Sequence, residues 1–341
     1  GEMLVISEDM KVKEKQSLYW NIEMGRLRFK DVFYDGEHLV FFAHQMVSME
    51  YVFYSRSNKN DKFKRVVVTA KGNSISDVEA FWDRGKVAVH GLYKLTRDGA
   101  VSGFFSVDYV NGELTNYEQK SFFTEAKKDF SPSIDHDVWS NLTLKKIINR
   151  GKGLVVLVCE QSSDFSVTYQ TYNSSPSYGG YYGGYGGGYY GGGYGYGGGY
   201  YSPETVSYES FNHIVLIAIK DGKEVWRRLV PKKQSLEYSI AYYGSVAINA
   251  NEKGLFLYFN TSIYSTDTGD GISKFTGGKD YALTEVFVGP QGQMKRVNVY
   301  KSNALTREIP VISSFYFGDH KVLFVGRKGV QTKMYKLTTK D

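Results

Sequence analysis

RLRFKDVFYDGEHLVFFAHQ, residues 26–45, reads as two strands joined by a polar turn, the second more continuously apolar than the first. The same unit returns four times. The further copies are ISDVEAFWDRGKVAVHGL (75–92), WSNLTLKKIINRGKGLVVLVCEQ (139–161), SIAYYGSVAINANEKGLFLYFN (239–260) and IPVISSFYFGDHKVLFVGRK (309–328). A second kind of hairpin lies between copies, turning at Asn111-Gly112, Asp221-Gly222 and Gln291-Gly292. No long stretch keeps a 3.6-residue period, so the chain is all-β. The alternation of a half-polar strand with an apolar one is what a β-propeller blade looks like in sequence, the apolar strand being read as the innermost.

Five copies predict a single β-propeller of five blades over residues 1–341. The turn anchors Gly36, Gly85, Gly153, Gly254 and Asp319 are unevenly spaced, which leaves six or seven blades open. A β-sandwich, or two smaller β domains, is the competing reading. Two of the long gaps have visible causes: a low-complexity insertion over 174–203, and residues 121–137, which leave room for a short helix. At the ends, MLVISEDMKVKEKQ (3–16) reads as an outer hairpin. Residues 321–337 supply an inner strand and its partner, so joining the two would close the ring.

The insertion is extreme. Residues 178–201 consist wholly of glycine and tyrosine, holding 14 of the 37 glycines and 10 of the 29 tyrosines. Glycine loses the most backbone entropy on ordering, and nothing here has an apolar period to bury. Three readings compete: an inert surface loop, an aromatic arm for sugars or proteins, and a base-stacking platform. The arm would act through Tyr178, Tyr181, Tyr182, Tyr185, Tyr189, Tyr190, Tyr194, Tyr196, Tyr200 and Tyr201, each a flat apolar face with a hydroxyl. Base stacking normally comes with cations, and the tract has no charge, so nucleic acid is not expected as a partner.

Composition narrows the rest. The chain has 341 residues, a net charge of +6 and one cysteine. Cys159 excludes an internal disulfide and multi-cysteine metal sites, and its apolar strand suggests an inert, buried thiol. Apolar runs fall far short of the ~18 residues of a spanning helix, so this chain is not expected to span a membrane. Gly1-Glu2-Met3 leads directly into strand-like sequence, so an exported form would already have lost its leader. The basic residues are spread out, without the concentrated footprint of a nucleic-acid protein.

HIVLIAIKDGKEVWRRLVPKKQ (213–234), followed by GLFLYFN (254–260), EVFVGPQGQMKRVNV (285–299) and KVLFVGRK (321–328), resembles a family of exported, uncharacterised propeller-like proteins of Bacteroidota. The resemblance is best from Asn149 to the C-terminus. Its signatures are the Asp-Gly turn, the Trp on the outer strand and the Pro-Lys-Lys-Gln after it. The resemblance implies an all-β protein of the cell envelope: periplasmic, outer-membrane-associated or extracellular. It implies no activity.

In a propeller, ligands commonly bind where inner strands end around the axis. Aligning the apolar strands places His44, Gln45, His90, Glu160, Gln161, Asn260, Arg327 and Lys328 at such a mouth. Strands also become polar simply where they meet solvent. His44, His90 and Glu160 have the donor types for zinc or iron, but come from separate repeats with no metal spacing, and no cofactor is expected. His136, in a loop, is a weaker metal or acid–base candidate. TDTGDG (266–271) lacks the ligand pattern of a calcium loop, and no nucleophile elbow or HExxH helix occurs. The expected function is a non-enzymatic binding or scaffold protein of the envelope, taking a protein or glycan at the mouth, the arm, or both. The alternative is an extracellular hydrolase or lyase acting on a polysaccharide or peptide polymer in the central funnel.

Overall fold

Runs of β-branched and aromatic residues, punctuated by turns whose residues tolerate positive φ, fold into consecutive antiparallel meanders. In the β13–β14 turn, for example, Asp221 and Gly222 have φ of 48° and 82°, the pair of left-handed residues that a tight two-residue hairpin requires. The structure, a computed structural model, describes residues 2–6, 12–17, 26–57, 62–122, 139–173, 200–264, 274–277, 280–301, 309–318, 321–328 and 331–338. Strands dominate. Helix is confined, among the described residues, to short 3-10 turns such as Tyr238–Tyr243.

A hairpin of β1 (Glu2–Ile6) and β2 (Val12–Ser17) comes first. Sheet 1 is β3 (Leu27–Tyr34), β4 (His38–Gln45), β5 (Glu50–Ser57) and β6 (Lys64–Val68). Sheet 2 is β7 (Ser74–Asp83), β8 (Lys86–Lys94), β9 (Val101–Val110) and β10 (Glu113–Ser121). Sheet 3 is β11 (Leu142–Asn149), β12 (Leu154–Asn173), β13 (Tyr200–Lys220) and β14 (Lys223–Val230), with β15 (Gln234–Glu237) also on β13. Sheet 4 is β16 (Ala247–Ala250), β17 (Leu255–Ser262), β18 (Tyr281–Val288) and β19 (Met294–Lys301). In sheet 5, β20 (Ile309–Pro310) and β21 (Tyr316–Gly318) share one edge of β22 (Lys321–Lys328), and β23 (Gln331–Thr338) takes the other.

The sheets stack face to face in chain order. Val40, Phe42 and Phe53 of sheet 1 pack on Val87, Val89 and Phe105 of sheet 2. Leu92 and Phe104, on the other face of sheet 2, meet Leu157 and Ile217 of sheet 3. Val156, Val158 and Leu216 then meet Leu257, Phe259 and Val286 of sheet 4. Tyr258 and Leu283 meet Val322 and Phe324 of sheet 5. Successive residues of one strand therefore serve opposite interfaces, which is why β12 and β13 are apolar on consecutive positions. Trp226 and Arg228 of β14 add a latch, donating to the Pro290 and Gly292 carbonyls at 3.0 and 2.8 Å.

The most apolar strands lie inside their sheets. β4, β8, β12, β17 and β22 each have a ladder on both sides, which accounts for their burial. The strands that approach one another across sheets are instead the first ones, β3, β7 and β11. Each of these carries a bulge, between Phe29 and Asp31, Ile75 and Asp77, and Leu144 and Lys146. The open edges of β7 and β11 are met by charged side chains of β3 and β7 rather than by another strand. Lys30 Nζ donates to the Val78 carbonyl at 2.6 Å, and the Leu144 and Ile147 amides donate to Asp77 and Glu79 at 3.3 and 3.0 Å.

The flanks of the Tyr/Gly tract belong to strands. β12 and β13 pair continuously from Leu154↔Lys220 to Asn173↔Tyr200, apart from one bulge after Glu160. As far as Phe165↔Tyr208 the pair still belongs to sheet 3, where β15 lies along Tyr208–Phe211; from Ser166↔Ser207 outward it is a two-stranded ribbon of eight residues, about 26 Å long at strand rise. Residues 178–199, with eight of the ten arm tyrosines, lie outside the described residues, and Tyr200 and Tyr201 open β13. The anticipated helix over 121–137, His136 and the 266–271 loop also fall largely or wholly outside them. At the N-terminus the expected hairpin is present. Among the described residues β1 and β2 pair only with each other.

Candidate functional site

Three of the mouth candidates meet in one polar joint between sheets 3, 4 and 5. Glu160, near the β12 bulge, is fully buried. Its carboxylate accepts from Lys232 Nζ, from Ser245 Oγ at 2.6 Å, and pairs with Lys145 at 3.1 Å. Lys232, also fully buried, donates to Gln234 Oε1 at 2.9 Å. Gln234 Nε2 passes the chain on to the Asn260 carbonyl at 2.7 Å. Asn260 Nδ2 donates to the Tyr243 and Pro310 carbonyls at 2.9 and 2.8 Å. The Tyr243 hydroxyl donates to the Arg327 carbonyl at 3.3 Å, while the Arg327 guanidinium lies over the Tyr242 ring at 5.3 Å.

Burial pushes the Glu160 carboxyl up, but Lys232 and Lys145 outweigh it and hold its pKa below the ordinary value. Burial pulls Lys232 down to about 8, with Glu160 opposing. Both groups are therefore charged at neutral pH, as a desolvated pair must be to hold its partners. The joint is sealed: Glu160, Lys232, Gln234 and Asn260 are all 0% exposed. This carboxylate is committed to two ammoniums and a hydroxyl, and is not presented to a polymer.

The other candidates lie apart. His44 stacks on Tyr51 with centroids 4.5 Å apart, near the Lys30–Asp77 pair. Burial, then Lys30 and Arg28, lower its pKa. Gln45 accepts from Arg65 at 3.0 Å. His90 is not at a strand end but in the middle of β8, buried and stacked on Phe81 at 5.6 Å. Gln161 pairs with Leu142 in the ladder, and Lys328 closes β22 opposite Gln331. No group of three His, Cys, Asp or Glu side chains is placed to hold a metal among the described residues. Cys159 is fully buried, and burial pushes its thiol well up.

Lys232, Gln234 and Ser245 were not among the candidate residues. Their one local signal is the Pro-Lys-Lys-Gln run, since a lysine ending an outer strand would ordinarily be solvated.

The ribbon is the second feature. Its Phe165 and Tyr208 rings stack at 5.3 Å, the Tyr169 and Tyr208 hydroxyls lie 3.2 Å apart, and Phe165 and Tyr169 are exposed. The opposite face carries the pairs Ser166–Ser207 and Thr168–Thr205, at 3.1 and 3.0 Å. Strand alternation thus gives one aromatic and one hydroxyl face.

No family model matches the chain, and no curated protein matches it. Among solved structures, the crystal structure of polysaccharide lyase Uly1 is similar at 12% identity and a TM-score of 0.37. The match covers 99% of this chain and 65% of that one, so the chain spans just under two thirds of that protein's length.

Proposed function

We propose that the chain is a binding module of the bacterial cell envelope, a five-bladed propeller that holds the Tyr/Gly tract out as an arm for a protein or glycan partner. The observation that carries this reading is the ribbon. Nineteen ladder pairs join β12 and β13, and the outer eight, from Ser166↔Ser207 to Asn173↔Tyr200, lie beyond the reach of β15. A stiff ribbon ending at an uncharged aromatic tract is costly in ordering entropy unless the tract makes contacts of its own. Serial stacking of five sheets, with bulged first strands drawn together, supports the ring. The resemblance to exported proteins of Bacteroidota is the ground for placing it in the envelope.

The test is affinity capture from an envelope preparation of the organism that makes the protein, comparing the intact chain with one lacking residues 178–199. Partners held by the intact chain alone are expected. Equal capture by both would remove the arm from the account.

A further inference from the structure

The last strand of every sheet carries cations along its outer edge. Each of β6, β10, β14, β19 and β23 has lysine or arginine, as in Arg65, Arg228 and Lys333, and such edges are poor templates for a foreign strand. The ribbon is built differently. The β11 ladder on β12 ends at Gln161, and that of β15 on β13 reaches no farther out than Tyr208. From Ser166↔Ser207 outward, both edges of the ribbon are therefore open among the described residues.

The two open edges are unlike. Residues 200–207 of β13 include Glu204 and Pro203, which has no amide to donate. Residues 166–173 of β12, SVTYQTYN, hold no charge, no proline and no glycine, and are rich in β-branched and aromatic residues. That composition pairs readily with another strand. Ser166, Thr168, Tyr169 and Gln170 are exposed. A two-stranded ribbon alone is marginal in water, and further strands stabilise it.

The strand that fits this edge is the same edge of a second copy. Antiparallel pairing about a two-fold axis perpendicular to the ribbon sets residues 166–173 against themselves, and with no charge in the stretch nothing repels across the axis. The same operation brings Phe165, Val167 and Tyr169 of both copies to one face of the joined sheet. We propose that the β12 edge of the ribbon pairs with the β12 edge of a second chain, forming a four-stranded sheet between the two molecules. Eight residues of edge make a small interface, so the association is weak, in the ~micromolar to millimolar range, and the edge is solvated in dilute solution. A pair carries two Tyr/Gly tracts and so gains avidity for a repetitive partner. The pairing does not rest on what the tract binds.

The test is sedimentation velocity of the full chain from ~1 to ~500 μM. The mean mass should climb from that of one chain toward that of two. Thr168→Lys with Gln170→Lys places like charges across the axis and should weaken the association about tenfold or more, as should Thr168→Glu with Gln170→Glu. An equimolar mixture of the two variants should associate again, which a loss of folding would not allow. Both positions are exposed, so the variants should melt with the parent, and thermal denaturation checks this. Removing residues 178–199 should leave the association unchanged. A single-chain mass across the whole range would overturn the proposal. So would parental association by both folded variants, a mixture that stays dissociated, growth beyond two chains, or association that disappears with residues 178–199. Envelope capture reports on the tract alone, so the two readings fail separately.

Discussion

His90 is a basic side chain with no room for a proton. Its ring is buried against Phe81, Nδ1 lacks a partner among the described residues, and burial lowers its pKa to about 4 against 6.5 in the unfolded chain, with Asp108 opposing. A depressed histidine pKa means that the unfolded state takes up the proton first. The stability tied to neutral His90 is therefore complete above pH 6.5 and is lost as pH falls toward 4, a loss on the order of 3 kcal/mol. His90→Phe should flatten the melting-temperature profile between pH 4 and 6.5, and parallel profiles would refute this. Glu160 follows the other logic. Glu160→Gln strands Lys232 in the core and should cost about 3–5 kcal/mol, whereas Glu160→Leu with Lys232→Met should restore most of it. Denaturant midpoints of the three proteins decide the matter. A double variant no more stable than Glu160→Gln would mean that the pair is not the joint's main tie.

Elements were legible where the signal is local. Asn111-Gly112 and Asp221-Gly222 sit at left-handed turns as their residue types demand, and the units quoted at 26–45 and 75–92 are the strand pairs β3–β4 and β7–β8. Which strands approach the next sheet was not legible. Leu39–Ala43 is apolar because β4 has a neighbour on each side and is buried on both faces, and that pattern does not say which strand meets the next sheet. The ribbon was also missed, since Phe165–Tyr169 alternates apolar with hydroxyl residues and is largely exposed, without the apolar run of a core strand. Its exposed ladder should open more easily than the core. Amides of Ser166–Gln170 are expected to exchange hydrogen orders of magnitude faster than those of Val155–Cys159 in the same strand, measured by mass spectrometry or NMR. Equal protection would mean that the ribbon is packed against something.

At the scale of the molecule, the sheets and their order followed from repeated local patterns, while the joint of Glu160, Lys232, Gln234 and Asn260 depends on residues up to 100 positions apart. Three mouth candidates converge there, but as a sealed tie between sheets. The ribbon, by contrast, presents exposed aromatic side chains to solvent. The arm is the proposed binding surface. The most direct measurement replaces the eight tyrosines of residues 178–199 with serine and compares the variant with the parent for binding to an immobilised envelope fraction. Binding should be lost while the melting temperature is kept. Undiminished binding by the folded variant would contradict the claim.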